Sequence, residues 1–63
     1  MTKYDYLRRR IRALIKRLEQ QHCTLRAYEA VMRQRGDCHG VRDANSDIEG
    51  IERQLQALRE VLK

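Results

Sequence analysis

One repeat limits the folds open to this chain more than any other feature. Tyr4, Leu7, Ile11, Leu14, Leu18, Gln21, Leu25, Tyr28 and Met32 follow one another at alternating steps of three and four residues, and all but Gln21 are apolar or tyrosine. A 3.5-residue hydrophobic period sustained over four heptads is the pattern of a coiled-coil seam. With Tyr4 at position a, Ile15 and Val31 widen the stripe at positions e and g, while Arg9, Arg12, Lys16 and Arg26 fall on the outer face. Proline is absent and Arg, Leu, Glu and Gln abound, all of which favours long helices. The spacing predicts a first helix over about residues 3–35. Gly36 is placed as its left-handed capping residue, with Arg33 and Arg35 suited to the negative end of the helix dipole.

Residues 36–45 read as a loop, because two glycines and three Asx residues fall there without obvious period. Ser46-Asp47-Ile48-Glu49 has the form of a capping box and predicts a second helix over about 47–63. That helix carries the same repeat at Ile48, Ile51, Leu55, Leu58 and Leu62, blemished by Gly50, for which a close approach by another backbone is one explanation. The expected fold is therefore all-α. Residues 1–63 form a single domain, an antiparallel helical hairpin of long helix, loop and shorter helix, assembling into a dimeric helical bundle. Two registers satisfy the repeat. One sets Ile51, Leu55 and Leu58 against Met32, Tyr28 and Leu25; the other, slipped by a heptad, sets them against Leu25, Gln21 and Leu18. The first keeps the helix ends level at a ten-residue loop and is preferred. In it Gln21, the polar interruption of the seam, lies opposite Leu62.

Helix lengths then conflict. A second helix of this length covers only the C-terminal half of the first, leaving Tyr4, Leu7, Ile11, Leu14 and Ile15 without an intrachain partner. Each large aliphatic side chain contributes roughly 1.5–3 kcal/mol when buried, a large share of the stability of so short a chain. An exposed seam of this size marks an interface. The expected protein interface is Tyr4, Leu7, Ile11, Leu14, Ile15 and Leu18, with a second copy of the chain as the simplest occupant and another protein as the alternative. Tyr4 and Tyr28 are expected in the core and Tyr6 outside it.

Charge adds a second theme. The chain carries 14 Lys+Arg against 9 Asp+Glu, a formal charge of +5, and most of the excess lies between Leu7 and Arg17. Arg8, Arg9, Arg12 and Lys16 are the candidate contacts to an acidic protein partner or to nucleic-acid phosphates. No zinc-finger spacing, ribonucleoprotein aromatic pair or short helix-turn-helix accompanies them. A solvated basic face, with arginine stems covering the edges of the seam, accounts for the same residues.

Other chemistry is weakly supported. His22-Cys23 and Cys38-His39 offer the ligand types of a zinc site, yet Cys23 lies three turns of helix before the turn, roughly 18 Å along the axis, so no metal is expected. Cys38 beside His39 lacks a third orienting group, and a hairpin has no apolar pocket to exclude water, so neither catalysis nor a cofactor is expected. Asp37 and Asp43 in the loop also suit an acidic probe tip. Without an apolar run long enough for a bilayer or a visible secretory signal, a cytoplasmic protein with no membrane partner is expected. The function these features suggest is a small non-enzymatic interaction module, acting as adaptor, chaperone-like binder or inhibitor. The alternative is a dimeric nucleic-acid-binding regulator.

Overall fold

A computed structural model describes residues 2–63 as two helices, α1 (Lys3–Gln34) and α2 (Cys38–Leu62), with no strand among them. They pack side by side in opposite directions as a rod of 51 × 15 × 12 Å. At its start α1 is held by a reciprocal cap. Thr2 Oγ1 accepts from the Asp5 amide at 3.2 Å, and the Thr2 amide donates to the Asp5 carboxylate at 3.4 Å. Its other end closes as expected at Gly36, whose φ of 74° is the left-handed conformation that favours glycine. The Asp37 amide then donates to the Met32 carbonyl at 2.9 Å and the Gly36 amide to the Arg33 carbonyl at 3.1 Å, the paired bonds of a Schellman motif.

The expected loop over 36–45 is not formed. Asp37 closes α1 and also caps α2, its carboxylate accepting from the Gly40 amide at 2.9 Å, so α2 begins at Cys38 and the connection is three residues long. Packing explains the difference. Val41 and Ala44 continue the three-and-four spacing of Ile48, Ile51, Leu55, Leu58 and Leu62 back toward the turn, and helix is the conformation that lays both against α1. Gly40 makes room for this. A Cβ there would lie 3.0 Å from Met32 Cγ and Sδ, so the first turn of α2 approaches the core through an absent side chain. Ser46 is an exposed residue inside α2, and its capping box is not used. Asp43 likewise sits in α2 and not at a loop tip beside Asp37. Gly50 faces open space, with nothing within 4 Å of the point where a Cβ would stand, so no close approach within the chain accounts for it.

The two alternative helix starts are separable by stability. Asp37→Ala is expected to cost about 1 kcal/mol through the lost cap. Ser46→Ala, a helix-interior change, is expected to be neutral or to gain a few tenths of a kcal/mol. Melting followed by far-UV circular dichroism checks both, and a costly Ser46→Ala with a silent Asp37→Ala would restore the later start.

Moving the start of α2 also moves the register. Glu52 meets His22 at 3.1 Å, Arg59 donates to Glu19 at 3.3 Å, and Ile51 lines one groove with Gln21 and Leu25. These pairs belong to the slipped register, so the preferred one is corrected. With a short turn, level helix ends require the slip. Met32, Ala44, Ile48 and Leu55 form the buried core. Along α1 the buried and half-buried positions are Arg8, Ile11, Ile15, Leu18, His22, Leu25, Glu29 and Met32. From Ile15 onward the face toward α2 thus takes positions a and e, not a and d.

Candidate interaction surface

That rotation decides what α1 leaves uncovered. Residues seven apart return to nearly the same face of a helix, so Leu7, Leu14, Gln21 and Tyr28 form one stripe, extended by Tyr4 before it and Val31 after it. Tyr4, Leu7, Leu14, Tyr28 and Val31 are exposed by 63%, 52%, 46%, 49% and 43%. Tyr4 and Tyr28 are thus outside the core that their spacing suggested, while Tyr6 is exposed as expected. Ile11, Ile15 and Leu18, the other residues assigned to the interface, are half-buried. In the observed register Leu62 comes level with Leu14, so α2 shelters more of α1 than the sequence led one to expect. The overhang is roughly Lys3 to Ala13.

The two sides of the hairpin differ in character. On one, His22 and Glu19 pair with Glu52 and Arg59 around a shallow cleft that Leu55 also lines. On the other, Arg17, Gln20, Gln21, Thr24, Leu25 and Ile51 line a groove that no ion pair bridges. Gln21 belongs to both this groove and the apolar stripe.

The basic residues cluster at the overhang. Arg8, Arg9 and Arg12 share a shallow cleft with Asp5, and Arg9 and Arg12 are exposed. The Arg8 guanidinium lies 5.5 Å from the Tyr4 ring centre, and its Nε is buried without a hydrogen-bond partner. The Arg10 guanidinium lies 5.9 Å from the Tyr6 ring and donates to the Tyr6 hydroxyl at 3.2 Å. Exposed contacts of this kind are worth about 0.5–1 kcal/mol each. They hold two tyrosines and two arginines against the helix surface and so reduce the entropy lost when that surface is covered.

Cys23 and Cys38 are free and exposed. They stand at different levels of the hairpin, with His22 turned to Glu52 and His39 lying 3.6 Å from Asp43. Among the described residues no group of three or more His, Cys, Asp or Glu is placed to hold a metal ion, and no helix is long and apolar enough to cross a membrane. Comparison of the chain with protein-family models, curated proteins and solved structures finds no match.

Tyr28 and Val31 belong to the exposed stripe although their place in the repeat did not assign them to an interface. The signal for them lay in the width of the repeat. With apolar or tyrosine side chains at all a and d positions but Gln21, and Ile15 and Val31 beside them at e and g, α1 has more apolar face than a single partner helix covers, as in bundles where each helix has two neighbours.

Proposed function

We propose that this protein is a small non-enzymatic interaction module that works by helix-on-helix docking, as an adaptor, chaperone-like binder or inhibitor. The observation that carries this reading is the row of Leu7, Leu14 and Tyr28, large apolar side chains exposed at multiples of seven residues along one side of α1, with Tyr4 and Val31 exposed on its two flanks. Contiguous apolar surface of this kind on a small chain marks an interaction site. The heptad spacing of both helices supports coiled-coil packing as the mode of contact. Arg9, Arg12 and Lys16 lie away from the stripe, where they steer an acidic partner without being buried by it.

The clustering of Arg8, Arg9 and Arg12 beside one cleft favours a second reading, in which the same face binds phosphates of RNA or DNA. One experiment separates the two. Tagged protein is used for capture from native-host lysate, with and without nuclease, and the binding of what it captures is measured against salt. For the interaction module, a stoichiometric protein remains bound after nuclease treatment, and Arg9→Ala with Arg12→Ala alters its affinity modestly. Under the nucleic-acid reading the captured protein is lost with nuclease, and the same double substitution flattens the slope of log affinity against log salt by about 2, roughly one for each phosphate contact removed. That second result would overturn the interaction module.

A further inference from the structure

We infer that the exposed stripe of α1 is covered by the same stripe of a second copy, running antiparallel about a two-fold axis between Arg17 and Leu18. This rests on the reading of the protein as an interaction module and adds the identity and orientation of one occupant.

Three observations carry it. A two-fold interface needs a self-complementary patch, so that whatever residue meets a second residue is met by it in return. From Tyr4 through Leu7, Leu14, Gln21 and Tyr28 to Val31 the steps are three, seven, seven, seven and three, which read the same in either direction. Antiparallel α1 helices centred between Arg17 and Leu18 therefore match Leu7 with Tyr28 and Leu14 with Gln21, and bring Tyr4 level with Val31 at the flanks of the contact. Every exposed large apolar side chain of α1 except Tyr6 lies in or beside this contact, and the large Tyr28 opposes the smaller Leu7.

Area agrees. The chain exposes 5320 Å², against about 4,300 Å² for a compact folded protein of its mass. Covering an excess of about 1,000 Å² on each copy buries about 2,000 Å² in all, which is the upper end of a standard stable interface.

Charge also favours the antiparallel sense. At the free end of α1, Lys3, Arg8, Arg9, Arg10 and Arg12 stand against Asp5 alone. At the turn end, over residues 26–52, six carboxylates outnumber four arginines, and in the part of α2 up to residue 52 Asp43, Asp47, Glu49 and Glu52 are set against Arg42 alone. Antiparallel pairing lays the basic end of each copy beside the acidic end of the other, whereas parallel pairing superposes like charges. The two Arg17 side chains approach at the axis, where their stems cover its edges.

The test uses the unmodified chain first. Light scattering at high micromolar concentration is expected to give twice 7.6 kDa, and a mass of 7.6 kDa would overturn the proposal. Orientation is then read by disulfide trapping in a Cys23→Ser, Cys38→Ser background, both native cysteines being exposed and free. A mixture of Leu7→Cys and Tyr28→Cys chains is expected to link on oxidation, and neither chain to link with itself, because a disulfide needs Cα atoms about 4.4–6.8 Å apart. Leu7→Cys linking to itself would mean a parallel pair. A doubled mass without the mixed link would mean another face. Either overturns the antiparallel arrangement. Failure here is distinct from failure of the broader reading. A monomer that still holds a nuclease-resistant protein refutes the second copy alone, whereas a linked dimer whose captured proteins all depend on nucleic acid refutes the interaction module and leaves the dimer standing.

Discussion

Leu55→Ala is expected to abolish cooperative unfolding of the hairpin at ordinary temperatures. Leu55 is 5% exposed and, with Met32, Ala44 and Ile48, one of four buried residues among the described ones. Truncating a buried leucine costs about 2–5 kcal/mol, the sum of lost transfer energy and the cavity left behind. Domains of this length are marginal to begin with, since they bury only about 60% of the surface of the unfolded chain. The loss is therefore comparable with the whole stability, and the far-UV signal of the variant should fall gradually with temperature instead of in a single transition. Val61→Ala is the matching control. Val61 is 64% exposed in the same helix, and its truncation should shift stability by no more than about 0.5 kcal/mol. Similar melts for the two variants would mean that α1 and α2 do not share a core at Leu55.

Much of this architecture was legible in the sequence, and its errors have one physical source. Gly36 announced the end of α1 because a left-handed residue after a periodic run has few other uses. Ile48, Ile51, Leu55, Leu58 and Leu62 announced the inner face of α2 for the same reason of period. The start of α2 was misplaced because Gly40, Asp43 and Asn45 carry strong local turn signals, while Val41 and Ala44 carry only a weak periodic one. Tertiary contact resolved the conflict, since burying Ala44 and half-burying Val41 outweighs the local preference of their neighbours. Register followed from that single error, as did the extent of the overhang.

The candidate surface was legible in outline only. Tyr4, Leu7 and Leu14 were recognisable as surplus to the hairpin, and they are exposed. Tyr28 was not, because the choice between positions d and e as second partner to a cannot be made from spacing when both are occupied by large side chains. At the level of Tyr28 the competitor is Glu29, whose side chain is 13% exposed and accepts from Arg33 at 2.6 Å. A glutamate screened in this way by its neighbouring arginine can sit on the inner face, and that turns Tyr28 outward. Arg9, Arg12 and Lys16 stay on the outer face as expected, so the apolar stripe and this charge are open to separate substitution.

Leu7→Asp is expected to separate assembly from folding. Leu7 lies in the overhang, beyond the reach of α2, and is 52% exposed, so the hairpin itself loses little when it becomes polar. Exposed helix positions tolerate such a change at a cost of less than about 1 kcal/mol. In the antiparallel pair, however, a two-fold axis counts the substitution twice, once against each Tyr28. Two lost leucine burials amount to about 3–6 kcal/mol before the desolvation of two carboxylates is added. At 1.4 kcal/mol for each tenfold change, the dissociation constant should rise more than about 100-fold, and at micromolar concentration the variant should sediment as a 7.6 kDa monomer that is still helical. Its melting temperature should also cease to depend on concentration, because mass action no longer links folding to association. Tyr6→Asp supplies the control, since Tyr6 lies off the stripe, is 51% exposed and acquires the same charge. It should leave the dimer intact; if both variants dissociate alike, added negative charge at the basic end and not the apolar stripe is what governs assembly.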